Sequence, residues 1–424
     1  MDDQRSRESL LGPVRVLDLT NEVGLLCGKL LGDLGADVIK IEPPEGDLAR
    51  HNGPFYKDSP HPERSLFWWY TNLNKRGITL NLETQDGREL LKRLVKRAAF
   101  VIESFKPGYL AGLGLGYDEL RRIKPNIIMT SITPFGQTGP YAHYKASDLV
   151  GVAMGGMQRI FGDPDRAPIR ISAPQFYFFG GLHGALGSMV AHYHRELTGE
   201  GQYVDVSCQQ GITLALMTTT ENWDLLRVNM RGQGPYLVYA RPEPLGLLRL
   251  RYVHRCKDGY VLYGLRGGRA DAILAARVFV EWANREDMAL DLKDYDWVHY
   301  DLGKAAAEEQ ARIDASIDKF FLTKTKAELF KMALEKETQL TPINDIKDVV
   351  ESPQLAARGY WEKVPHPELG EAITYPGWPV KMGEIVHGYQ RRAPLLGEHN
   401  EDIYRGELGL TAEELVFFKA RRVI

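Results

Sequence analysis

The sequence predicts an α/β protein built on a parallel sheet with helices on its faces. Two observations carry this. Up to about residue 150, apolar runs of strand length alternate with stretches whose apolar residues recur at helical spacing. The connections are short and rich in Gly, Pro and Asn, as strand–helix–strand units require. VRVLDL (Val14–Leu19) reads as the first buried strand, Leu25–Leu34 as a helix and ADVIKIE (Ala36–Glu42) as the second strand. The pattern repeats with a helix over Gly87–Ala98, a strand over Ala99–Phe105, a helix at YDELRRI and a strand over Asn126–Ile132. Such sheets bind ligands at the carboxyl ends of their strands.

From Ile171 to His194 no charged residue occurs, yet the run holds Pro174, Gln175, four glycines and three histidines. That mixture suits a helix buried inside a protein better than a bilayer span. Tyr203–Ser207 reads as a further strand, and the Gly/Pro-rich stretch 229–248 as a boundary. Beyond it, Tyr252–Leu265 reads as a hairpin turning at Lys257-Asp258-Gly259, Ala270–Asn284 as a helix, Lys304–Lys336 as charged and helical, and Ala412–Arg421 as the last helix.

At 424 residues the chain exceeds what one compact core usually supports, so two domains are expected. Lys+Arg total 53 against 56 Asp+Glu, a formal net charge of −3. That balance excludes a general polyanion binder, so no nucleic-acid or membrane partner is expected. Three scattered cysteines (Cys27, Cys208, Cys256) and a polar N-terminus point to a soluble, cytoplasmic protein. His254 and Cys256 lack a second ligand pair at metal spacing, so no metal is expected. Gly24–Leu30 falls one residue short of a phosphate loop and lacks its Ser/Thr, and no strand leads directly into Gly112-Leu-Gly114-Leu-Gly116.

Longer blocks are more specific. VLDLT, LLGDLGADVIKIEPPEGD, NLNKRGITLNLETQDGRELLKRLVKRA, VIESFKPG, LGLGYDELRRIKPNIIMTSITPFGQTGPY, ELTGEGQYVDVS, TPINDIKDVVESPQLAARGYW and PLLGEHN run in order over nearly the whole chain. In them the sequence resembles the family III coenzyme A transferases of the CaiB/BaiF type. The resemblance implies a Rossmann-like large domain formed by residues 1–225 and 336–424, with a small α+β domain at 226–335 inserted between them. It also implies two subunits interlocked as rings, with the uncharged run 171–194 inside the core and interface. The family's substrates are coenzyme A thioesters and carboxylic acids, and no permanently bound cofactor is implied. In its reaction an aspartate attacks the thioester and passes through an anhydride and an aspartyl thioester, a case of covalent catalysis.

That aspartate stands three residues after a proline, four before a glycine and 21 before the threonine of TGxGQ. Counting from Pro174, Gly181 and Thr198 leads without a gap to Tyr177. A phenol with a pKa of about 10 is no acyl-anhydride carboxylate, so no catalytic residue is expected in this chain. Between Arg166 and Arg195 there is no Asp or Glu to replace it. The histidine of the family's racemases would fall on Ser147, so with Tyr177 both halves of that acid–base pair are missing and racemase activity is not expected.

By resemblance, Lys145, Phe105 and Ser104 are the cofactor-binding candidates. Arg50, Lys75 and Arg76 form either a basic rim for the phosphoadenosine diphosphate or ordinary solvated charges. Gly112 stands where the family has a phosphate-binding Arg. Asp148 is either an acidic residue beside the site or a cap on the helix it begins. The expectation is a non-catalytic subunit paired with a homologous catalytic subunit that carries the Asp. Acyl-CoA and a dicarboxylic acid are its expected small-molecule partners, and the aromatic run at Tyr177 suits an aryl acid of anaerobic aromatic degradation. The alternatives are a homodimeric transferase with unconventional catalysis and an acyl-CoA-binding regulatory protein.

Overall fold

The structure is a computed structural model and describes residues 9–240, 247–264, 270–289, 292–300, 304–382 and 388–424. The N-terminal stretch before residue 9, and Leu265 at the end of the expected hairpin, lie outside the described residues. The chain forms two compact units. The first comprises Met1–Gln158, Arg170–Asn229 and Ala356–Ile424, and the second Arg159–Ile169 and Met230–Leu355.

The first unit is built on six parallel strands: β1 (Arg15–Leu19), β2 (Asp37–Glu42), β3 (Lys75–Thr79), β4 (Phe100–Glu103), β5 (Ile128–Thr133) and β6 (Tyr203–Ser207). Their order is β3-β2-β1-β4-β5-β6, the doubly wound arrangement whose direction reverses between β1 and β4. Helices α1 (Leu25–Asp33), α2 (Gln85–Val95), α3 (Tyr117–Ile123), α4 (Asp148–Met154) and α5 (Phe176–Thr198) connect or cover these strands. Covering explains why β1, β4 and β5 read as nearly continuous apolar runs. Leu17, Ile39, Ile78, Leu91, Leu94 and Val101 form one core, which Ile403 and Tyr404 of the C-terminal segment complete.

Strand β3 is absent from the sequence reading, because KRGIT opens on two charges and a glycine. Those charges are consumed inside the protein. The expected helix in the uncharged run starts only at Phe176, leaving 171–175 outside it. Its first half packs closely because it is glycine-rich: a Cβ on Gly180 would meet Cys208 Sγ at 2.3 Å, and one on Gly184 would meet Ile132 Cδ1 at 2.6 Å. Burial covers only one side. On the other, Leu182, Leu186, Val190, Tyr193 and Leu197 are 49–69% exposed. Among the described residues no helix is long and apolar enough to cross a membrane. Gly28 belongs to a packed helix rather than a phosphate loop, its Cβ position lying 2.2 Å from Asp18 Oδ2.

The second unit holds the pair β7 (Tyr236–Ala240) and β8 (Leu247–Arg251), and the sheet of β9 (Val253–Cys256), β10 (Gly259–Tyr263) and β11 (Leu340–Ile343). The expected hairpin is β9–β10, turning at Lys257-Asp258. The charged helical stretch resolves into two helices, α7 (Ala307–Phe321) and α8 (Lys326–Glu335), after α6 (Ala270–Asn284). Residues 336–355, placed by sequence with the C-terminal return, lie in the second unit, where β11 pairs antiparallel with β10. His254 and Cys256 face separate partners, Asp318 Oδ1 at 2.9 Å and Asp258 Oδ1 at 3.5 Å. No group of three or more metal-ligating side chains occurs among the described residues. In the first unit the chain continues with the hairpin β12 (Trp361–His366) and β13 (Glu371–Pro376), and then α9 (Ala412–Ala420).

Candidate functional site

The strand order reverses between the paired strands β1 and β4, and in such sheets ligands bind beyond the carboxyl ends of the strands at that point, here within the first unit. Ser104 ties the two strand tips together. Its hydroxyl accepts from the Asn21 backbone N–H at 2.8 Å and donates to Asn21 Oδ1 at 2.9 Å. The same Oδ1 accepts from Val23 N at 3.1 Å, so the turn after β1 is held rigidly. Phe105 is half-buried, packs against the core and pairs with Tyr109 at a ring-centroid distance of 4.7 Å. Both candidates therefore follow the carboxyl end of β4, with the Ser104 hydroxyl already engaged.

Beneath them lies Glu103, which accepts from Phe105 N at 2.6 Å. Burial pushes its carboxyl up to about 7, against the hydrogen bonds from Ser131 and Phe105 N. The folded state therefore binds a proton more tightly than the unfolded one. Stability falls as pH rises from about 4.5 to 7, by up to about 3 kcal/mol. Glu103→Gln is expected to raise the melting midpoint at pH 8 and to change it little at pH 5. Thermal denaturation at the two pH values measures this.

Tyr177 occupies the first turn of α5 and is 5% exposed. Asp148 positions that turn, its Oδ1 accepting from Gln175 N and Phe176 N at 2.9 Å each. Of the two readings of Asp148, the cap on the helix it begins fails: the Ser147 hydroxyl does that, accepting from Val150 N at 3.4 Å. Two N–H groups at the start of α5 would otherwise go unpaired, and a carboxylate is the stronger acceptor there. The Tyr177 hydroxyl donates to Ala146 O at 3.3 Å. Burial, then the charges of Glu22 and Asp148, hold the phenol well above its ordinary pKa. Position 177 is therefore a neutral phenol at physiological pH. Glu22, whose charge acts on the phenol, is a residue that sequence reasoning missed, since it lies 155 positions away in the chain.

The basic rim is also corrected. Lys75 is fully buried, pairs with Asp18 Oδ2 at 2.8 Å and donates to Leu25 O at 2.8 Å and Asn72 Oδ1 at 3.0 Å. Arg50 is buried in a fork on Glu42 (2.7 and 2.8 Å), reaches Glu63 at 2.6 Å and stacks 4.0 Å from the Trp68 ring centre. Arg76 bridges Asp37 and Glu407 at 2.7 Å each. Each side chain answers a carboxylate that burial would otherwise leave unpaired, so none offers a free cation to a phosphate. Lys145 differs: it is exposed, forms no ion pair among the described residues and adjoins Ala146, whose carbonyl receives the Tyr177 hydroxyl. Gly112 ends the short helix Tyr109–Gly112, with open space around its Cβ position.

Comparison with known proteins bears on this arrangement. A model of the CoA-transferase family III matches residues 11–400. The BbsE subunit of succinyl-CoA:(R)-benzylsuccinate CoA-transferase from Thauera aromatica is 36% identical over 392 residues, which cover 92% of each chain. Succinyl-CoA–D-citramalate CoA-transferase from Chloroflexus aurantiacus is 33% identical over 417 residues, 98% of each chain. Among solved structures, a CAIB/BAIF family protein from Brucella suis superposes with a TM-score of 0.79 at 28% identity. That match covers 93% of this chain and 98% of the other.

Proposed function

Because this chain belongs to the CoA-transferase family III, we propose that it is the non-catalytic subunit of a heteromeric transferase that moves coenzyme A between carboxylic acids. The observation that carries the reading is Tyr177, a buried neutral phenol at the position that the family pattern reserves for the nucleophilic carboxylate. A phenol cannot supply the carboxylate from which an acyl anhydride is made. The catalytic carboxylate then comes from a homologous partner subunit interlocked with this one, forming a heterodimer or heterotetramer in the cytoplasm. The exposed stripe Leu182, Leu186, Val190, Tyr193 and Leu197 on α5 supports such an interface, being larger and more continuous than scattered surface apolar residues. The preferred reaction is transfer from succinyl-CoA to (R)-benzylsuccinate in anaerobic toluene degradation, supported by the similarity to the BbsE subunit.

The test is expression of this chain alone and together with a homologous subunit carrying the Asp, followed by a thioester-exchange assay. Exchange only in the mixed sample is expected. Robust turnover by the lone chain overturns the non-catalytic reading and favours a homodimer with unconventional catalysis.

Any coenzyme A held by this chain meets Lys145, Phe105 and Ser104, without an Arg at position 112. Gly112→Arg has room for its side chain and restores a forked cation for a phosphate. It is expected to leave the melting midpoint unchanged and to tighten coenzyme A binding about tenfold, as read by isothermal titration.

A further inference from the structure

We propose that the second unit carries a binding pocket of its own for a small acid whose carboxylate stands next to a hydrogen-bond donor, an α-amino or α-hydroxy acid. The inference is independent of how position 177 is read. A cavity of about 330 Å³ is lined by Asp163, Pro164, Asp165, Arg231, Tyr236 and Arg249, all of the second unit. That size lies at the lower end of the range of about 300–1,000 Å³ usual for small-molecule sites.

Two of its walls are segments that the backbone holds together. Gly232 N donates to Arg159 O and Gly234 N to Gly162 O, each at 3.0 Å. Glycine permits this approach. A Cβ on Gly232 would lie 2.3 Å from Gly162 O, and one on Gly234, at φ +59°, would lie 2.3 Å from Asp163 Oδ1. The pair β7–β8 supplies the third wall. There Arg249 stands opposite Val238, and its guanidinium lies 4.6 Å from the ring centre of Tyr236.

The charges on these walls are not spent on one another. Arg50 and Arg76 each answer two carboxylates. Arg231 and Arg249 form no ion pair among the described residues, although two carboxylates line the same cavity. Asp163 is answered by Arg166 at 3.8 Å, whereas Asp165 has no cation among the described residues. Two guanidinium forks and one carboxylate are thus left for a ligand. A ligand carboxylate takes the donors of the arginines. An ammonium or hydroxyl on the adjacent carbon donates to Asp165. A phosphate suits the arginines but brings a second negative charge toward Asp163 and Asp165, which oppose it.

L-Alanine, L-lactate and propionate share one carbon frame and carry an ammonium, a hydroxyl and no donor in turn. Isothermal titration of the full-length chain with each of them, and with inorganic phosphate, tests the pocket. Alanine or lactate is expected to bind about tenfold or more tightly than propionate and phosphate, and the tighter of the two identifies the class of acid. Arg231→Gln and Arg249→Gln change exposed side chains, so the melting midpoint is expected to stay unchanged while that binding weakens about tenfold or more. Asp165→Ala is expected to erase the advantage over propionate. Two arginine variants guard against one failing to fold. Equal affinity for the three acids, tighter binding of phosphate, or binding that survives in both arginine variants overturns the proposal. No binding of any of the four probes overturns it as well.

Discussion

Asp18→Asn is expected to lower the stability of the first unit by about 3–5 kcal/mol, the loss typical of breaking a buried ion pair from one side. Asp18 is fully buried on β1. Its Oδ1 accepts from Thr20 N at 3.0 Å and Thr20 Oγ1 at 2.6 Å, and its Oδ2 faces Lys75 at 2.8 Å. Lys40, also fully buried, donates to Thr20 O and pairs with Asp47 at 3.2 Å. Removing the Asp18 charge leaves the buried Lys75 ammonium without an anion, while Lys40 keeps Asp47. The same change loosens the turn that carries Asn21 and Glu22. Lys75→Met added to Asp18→Asn removes the orphaned cation and is expected to recover part of the loss. Melting midpoints of the single and double variants measure both effects. Burial raises the Asp18 pKa, but Lys75 and Lys40 outweigh it and hold the carboxyl below its ordinary value. Its stabilisation is therefore present at neutral pH and is lost as pH falls below about 4. Glu103 acts in the opposite sense at higher pH, so the two groups bound the stability profile from both sides.

The second large effect is on activity and separates the two subunits. In the proposed complex, replacing the nucleophilic aspartate of the proposed catalytic subunit by asparagine is expected to reduce turnover by about a thousandfold or more, as removal of a covalent nucleophile does. Tyr177→Phe in this chain is expected to leave kcat within about twofold, because the hydroxyl is engaged by Ala146 O and a phenol is no acyl-anhydride carboxylate. Steady-state thioester exchange on the two variant complexes measures the contrast. A thousandfold loss in Tyr177→Phe would assign the phenol a chemical role and overturn the proposed division of labour.

Most strands and helices of the first unit were legible because apolar periodicity records which faces are covered. β1, β2, β4 and β5 lie where VRVLDL, ADVIKIE, AFVIESF and NIIMTSI place them, with ends shifted by a residue or two. β3 was not legible, because its leading lysine and arginine look solvent-seeking until their carboxylates are known. The phenol at position 177 was legible too, since Pro174, Gly181 and Thr198 mark the position by spacing within one segment.

The roles of the charged side chains were not. Lys75 looks like any rim lysine until β1 brings Asp18 to it, and Arg50 until Glu42 and Glu63 enclose it. Asp148 looks like a cap for its own helix until α5 presents two N–H groups to it. The sequence by itself determined a parallel sheet with helices on its faces and a tyrosine three residues after Pro174, because both follow from residue type and local spacing. Only the tertiary structure decided which charges remain free for a ligand and that Asp148 holds the start of α5. The energy of a charge depends on burial and on partners a few ångströms away, and folding draws those partners from distant parts of the chain.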